Sequence, residues 1–173
     1  MTEFQFPPQY FLPPFFTIQL TEKTRQEQLN LWSKLICDYC KFHKIQRIDL
    51  HQIEDMPLFS NKSINRSLSF NHVQDILRYM QTTNNAIWID SEQTQAIIAW
   101  RTPSQWAEFI WSWVNRTQQH GNLHTFHRLL TDDFLIEDDL AGLDEAMLVL
   151  ALEHLQSEQK AVLIKDKGAV KFQ

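Results

Sequence analysis

The sequence predicts a mainly α-helical chain with small β-hairpins, one unit built twice over, behind an extended proline/aromatic arm. Three observations predict it. Helical apolar spacing runs from Glu22 to about Lys44 and returns later in the chain. Two pairs of β-rich runs, between Ala86 and Trp100 and between Ala161 and Phe172, each follow a helical pattern. The opening residues carry prolines and aromatics at a density no helix accommodates.

The arm reads Phe4-Gln5-Phe6-Pro7-Pro8-Gln9-Tyr10-Phe11-Leu12-Pro13-Pro14-Phe15-Phe16. Proline fixes φ and removes a backbone donor, so an extended segment is expected over 1–20. In the first helix, with Thr21 as its N-cap, Leu29, Trp32, Ile36, Cys40 and His43 recur at spacings of three and four. Leu31, Leu35 and Phe42 form a second stripe, so the helix is expected to be buried on two sides. A short helix at Leu50 to Asp55, a loop through Pro57 and Asn61, and a helix capped by Ser69 or Asn71 and running to about Thr82 follow. Ala86–Asp90 and Ala96–Trp100 then read as a hairpin.

The order starts again at Pro103, which suits the first turn of a helix. Trp106, Phe109, Ile110 and Trp113 make its stripe. A second helix fits Leu123 to Leu130, an acidic loop follows, and Gly142 with Asp144 opens a helix to about Gln159. Ala161–Ile164 and Ala169–Phe172 close the chain as a hairpin. An offset of 75 positions pairs Leu68 with Leu143, Val73 with Leu148, Leu77 with Leu152, Met80 with Leu155 and Ala86 with Ala161, apolar with apolar each time. Helices followed by a hairpin are the winged-helix order. The reading is two tandem winged-helix domains, 21–102 and 103–173.

Composition narrows the function. Of 173 residues, 43% are hydrophobic and 21% charged, enough apolar material for packed cores. Six Trp and twelve Phe enrich cores and interfaces alike, while three Gly leave little for phosphate-cradling loops. A net charge of −5 lacks the cationic excess of a general nucleic-acid binder. No apolar run reaches the ~18 residues of a membrane span, and neither a signal peptide nor a myristoylation motif opens the sequence. A cytoplasmic chain that reaches membranes only through partners is expected.

Catalytic and metal chemistry find no footing. Cys37 and Cys40 form a C-x-x-C inside a helix with no second pair, which favours packing over redox or zinc roles. His120, His124 and His127 lack metalloenzyme spacing, and the acids between Asp132 and Asp139 lack the ligand pattern of an EF-hand. There is no nucleophile elbow or triad context. The sequence therefore implies no enzyme, no cofactor and no metal. The alternative is a winged-helix nucleic-acid regulator. Against it, the third helix of the second copy, Leu143 to Glu153, carries three acids and a nearly continuous apolar surface.

Two regions point to polypeptide partners instead. Pro7-Pro8-Gln9-Tyr10 fits the PPxY pattern read by WW domains, and Pro13-Pro14-Phe15-Phe16 is a PPxF form. Stiff extended segments lose little entropy on docking. An intermolecular site is favoured; folding back over the Leu31/Leu35/Phe42 stripe is the alternative. In the second copy, Met147 and Leu150 take the places of His72 and Asp75, which suggests either a partner surface or contact between the two domains. Trp111 lies about 140° from Trp106 on its helix and is a further candidate contact.

The ordered segments Pro13-Pro14-Phe15-Phe16-Thr17, Thr24-Arg25-Gln26 with the Trp32 helix, Pro57-Leu58-Phe59, Trp100-Arg101 with Pro103 and Trp106, Gly142-Leu143-Asp144-Glu145-Ala146, and the Gly168–Phe172 ending carry a resemblance. The whole chain resembles the small subunit of the endosomal ESCRT-II complex, the family of vacuolar protein sorting-associated protein twenty-five. The resemblance implies two tandem winged helices. It implies two copies joined to one copy each of two larger subunits, with the arm docking through Pro13, Pro14, Phe15 and Phe16, and through Pro7, Pro8 and Tyr10 as a second element. It also implies recruitment of the first ESCRT-III subunit by the C-terminal domain, where Trp111, Met147 and Leu150 are this chain's candidate contacts. The implied role is sorting ubiquitinated cargo into multivesicular endosomes.

Overall fold

A computed structural model describes residues 2–131 and 143–173. The chain divides into two compact units, Met1–Trp100 and Arg101–Gln173.

In the first unit, helix α1 (Glu22–His43) starts at Thr21 and stops where Lys44 turns into the left-handed region at φ 57°. Trp32, Leu35, Ile36, Tyr39 and Cys40 are its buried side chains. Strand β1 (Arg47–Asp49) leads into a 3₁₀ helix over Leu50–Asp55, capped by the Asp49 carboxylate accepting from the His51 amide at 2.9 Å. A two-residue ribbon, β2 (Ser60–Asn61) with β3 (Arg66–Ser67), occupies the expected loop. Ser69 then caps helix α2 (Phe70–Thr82), whose Val73, Ile76, Leu77 and Met80 are buried at helical spacing. Strands β4 (Ala86–Trp88) and β5 (Gln95–Ile98) form the hairpin, turned by Asp90, which accepts from the Thr94 and Gln95 amides. The sheet order is β1-β5-β4, all antiparallel.

The second unit repeats the plan. Helix α3 (Pro103–Thr117) opens on a full capping box: Thr102 Oγ1 accepts from the Gln105 amide, and Gln105 Oε1 accepts from the Thr102 amide at 2.9 Å. Pro103 sits at the first helical position, as its fixed φ suits. The Arg101 guanidinium lies over the Trp106 and Phe109 rings, 4.9 and 5.1 Å from their centroids. Strand β6 (Leu123–Thr125) and the short helix α4 (Phe126–Thr131) follow. Helix α5 (Glu145–Ser157) is capped by Asp144. Strands β7 (Ala161–Ile164) and β8 (Ala169–Phe172) close the unit in the order β6-β8-β7. First strand, last strand, middle strand is thus the arrangement in both units.

The repeat holds in the packing. Val73, Leu77 and Met80 of α2 are buried, and so are Leu148, Leu152 and Leu155 of α5. Two expectations need correction. The helix placed over Leu123 to Leu130 is a strand for its first three residues, because Leu123–Thr125 pairs with Ala169–Lys171. The arm is not extended throughout: it makes two 3₁₀ turns, Pro8–Phe11 and Pro13–Phe16, each with a proline at its start. A pyrrolidine φ near −65° fits a 3₁₀ turn as well as an extended chain. The acidic loop between Asp132 and Asp139, and Gly142, lie outside the described residues.

Candidate functional site: a clamped aromatic arm and a half-covered tryptophan

The arm is joined to the first unit by a set of converging hydrogen bonds. Its own turns are closed by the Tyr10 amide to Pro7 O at 3.0 Å and the Phe15 amide to Leu12 O at 3.0 Å. Trp32 Nε1 of α1 donates to Phe15 O at 2.9 Å, and Gln28 Nε2 donates to Phe15 O at 2.9 Å and Thr17 O at 2.7 Å. Asn61 Nδ2 donates to Tyr10 O at 2.9 Å, and the Tyr10 hydroxyl donates to Pro57 O. Among the described residues Asn61 is one of two buried polar side chains, and this bond gives its amide an acceptor.

Aromatic packing completes the attachment. Phe15 stacks on Trp32 at 4.3 Å between centroids and 8° between planes. Phe6 stacks on Tyr10 at 3.9 Å, and Phe4 meets Tyr39 and Phe42 edge-on at 5.2 and 5.6 Å. Phe15 is 6% exposed, and Tyr10 and Phe16 are as deeply covered. Burial pushes the Tyr10 phenol up to about 12, with Tyr39 adding to the shift.

The expectation that these three rings stand free for a partner is therefore corrected. Tyr10, Phe15 and Phe16 fill the chain's own core because α1 supplies a tryptophan face and a buried donor to receive them. The fold-back alternative describes their packing, and Phe4 lies against the expected stripe at Phe42. What the arm leaves outside is a strip of apolar surface: Pro8, Phe11, Leu12, Pro13 and Pro14, with Phe11 at 49% and Leu12 at 56% exposure. Phe11 ends the first 3₁₀ turn and Leu12 links it to the second. Pro7 is half-buried.

In the second unit, Met147 is fully buried, which overturns its reading as a surface contact. Helix α5 is covered on more than one face, so Met147, Leu148 and Ala151 are all interior. Leu150 and Trp111 are half-buried. Trp111 meets His120 edge-on at 5.3 Å, and Lys160 Nζ lies 5.5 Å from its ring centroid. Leu123 and Val162 flank Lys171 across β6, β8 and β7, and both are exposed. Alternation along those strands could have placed that pair outward from sequence, had β6 been recognised.

The other candidate groups separate. Cys37 and Cys40 lie on α1, and burial pushes both thiols up, Cys37 to about 11, away from the thiolate that reactivity requires. His124 is buried between Trp113 and Phe172, whereas His120 and His127 are exposed. Among the described residues no three His, Cys, Asp or Glu side chains group as metal ligands. Nor, among them, is any helix long and apolar enough to cross a membrane.

Comparison with known proteins places this architecture. A family model described as "ESCRT-II complex subunit" matches residues 9–144. Vacuolar protein-sorting-associated protein 25 of Xenopus laevis is 40% identical over 171 residues, covering 98% of each chain. The crystal structure of subunit VPS25 of the endosomal trafficking complex ESCRT-II superposes with a TM-score of 0.84 at 26% identity, covering 95% of this chain and 97% of that one. The crystal structure of endosomal complex ESCRT-II, VPS22/VPS25/VPS36, matches with a TM-score of 0.83 at 26% identity, over 96% and 98% of the two chains. The chain belongs to the ESCRT-II complex subunit family, a family of structural, non-catalytic subunits in protein sorting.

Proposed function

We propose that this chain works by docking: the outer strip of its arm seats on the larger subunits of an ESCRT-II complex, and its second unit receives a further partner. The observation that carries the reading is the arm itself. Its backbone is fixed by Trp32, Gln28 and Asn61, and its inner rings are spent on internal packing. The result is a preformed apolar edge, and preformed edges bind at a smaller ordering cost. Pro7, Pro8, Pro13 and Pro14 shape that edge, Phe11 and Leu12 are its bulk, and Tyr10, Phe15 and Phe16 hold it from behind.

The ESCRT-II neighbour is a complex of VPS25 with VPS22 and VPS36, which supports counterparts of those two as the larger partners here. In this reading the arm precedes two winged-helix domains, one in each unit, two copies of the chain enter one complex, and membranes are reached only through partners. The second domain recruits the first ESCRT-III subunit, with Trp111 and Leu150 as contacts, during sorting of ubiquitinated cargo into multivesicular endosomes.

The test is co-expression with the two larger subunits. Leu12→Asp together with Phe11→Ser is expected to prevent co-purification while the chain keeps its wild-type melting temperature. Full assembly by that variant refutes docking through the arm. Trp111→Ala is expected to leave core assembly intact and to weaken capture of the ESCRT-III subunit at least tenfold; unchanged capture removes Trp111 from the site.

A further inference from the structure

A second apolar opening lies in the first unit, on the seam between α1 and α2, where Ile18 and Gln28 border it. It has a volume of about 270 Å³. Leu29 and Trp32 of α1, Ile76 of α2 and Leu68 form its floor. That is below the usual size of a small-molecule pocket and suits one large side chain anchoring a peptide.

The rim decides what kind of peptide. Arg25, His72 and Asp75 stand around the opening. Asp75 is engaged by Arg78, with Nη1 3.2 Å from Oδ1. Arg25 is exposed in the N-terminal half of α1, and among the described residues no carboxylate lies within ion-pair distance of it. Among the described residues, then, the rim carries a cation with no carboxylate paired to it, on a chain whose net charge is −5. An apolar floor beneath a lone guanidinium complements a bulky side chain with a carboxylate beside it. Phosphate backbones, which need several cations in register, find one.

We propose that the α1/α2 groove is a docking site for an acid-flanked apolar residue of a partner polypeptide. Leu, Met or Phe enters between Leu29 and Ile76, and the neighbouring carboxylate pairs with Arg25. Gln28 and Trp32 both line the groove and hold the arm, but Phe11 and Leu12 do not line it and Trp111 belongs to the other unit, so docking through those three residues can fail without removing the groove.

The probe is a pentapeptide of one phenylalanine flanked by two glutamates on each side, titrated into ¹⁵N-labelled full-length chain. Amide shifts are expected at Leu29, Leu68 and Ile76. Arg25→Glu, at an exposed position, is expected to weaken binding at least fivefold without changing the melting temperature, and raised salt is expected to do the same. Leu29→Asp is expected to abolish the shifts; should that variant not fold, Arg25→Glu carries the test alone. Equal binding by a control peptide with lysines in place of the four glutamates, or unchanged binding by Arg25→Glu, overturns the proposal. So do shifts in the same residues that follow chain concentration alone, which would assign the groove to a second copy.

Discussion

Phe15→Ala separates an arm built into the fold from an arm held in reserve for a partner. Phe15 is 6% exposed and stacks on Trp32 at 4.3 Å, so its removal strips a ring from a buried stack rather than from a surface. Buried Phe→Ala changes cost about 3–5 kcal/mol, which already includes the cavity left behind. The arm closes the core from outside, so it can settle partway into the gap. The lower end, about 3 kcal/mol, is therefore expected. Urea denaturation of the isolated chain, followed by far-UV circular dichroism, reads this as a lower midpoint at unchanged slope. A loss under about 0.5 kcal/mol would refute the reasoning, because a freely extended docking arm contributes nothing to the stability of the chain alone.

Other consequences follow from single groups. Burial holds the His124 imidazole below its ordinary range, with Arg128 adding to the effect, so the unfolded chain binds this proton more readily than the folded one. Stability is then complete well above pH ~6.5 and declines as pH falls below it; His124→Phe should flatten that part of a melting-temperature profile, and an unchanged profile contradicts the assignment. Met147→Ala should cost about 2–5 kcal/mol in chemical denaturation, as a buried large-to-small change, whereas half-buried Leu150→Ala costs clearly less. Equal costs would put both residues in the same environment. Thr102→Ala removes the capping box of α3 and should lower stability by about 1 kcal/mol, readable in the same assay.

Much of the fold was legible because local rules and burial agree. Ser69 and Asp144 cap helices, Pro103 opens one, and the closing hairpin runs over Ala161–Ile164 and Ala169–Phe172 as its β-rich pattern predicts. Strands β1 and β6 escaped because Arg47–Asp49 and Leu123–Thr125 are three-residue segments defined by pairing with a distant strand. No window that short carries a period. The arm was legible in composition but not in direction. Proline tolerates both extended and 3₁₀ backbone, and only the Trp32 face and the Asn61 amide, far along the chain, select which rings turn inward. Met147 misled for a related reason: comparison with His72 marks it as different, but not whether the difference serves a partner or the unit's own core.

Hydrogen–deuterium exchange on the arm tests the central claim most directly, measured on the isolated chain and again with both larger subunits added. The amides of Tyr10, Leu12, Phe15 and Thr17, each bonded within the arm's turns, should already be protected in the isolated chain and become more so in the complex. Free exchange in the isolated chain, or protection that the larger subunits leave unchanged, would contradict it.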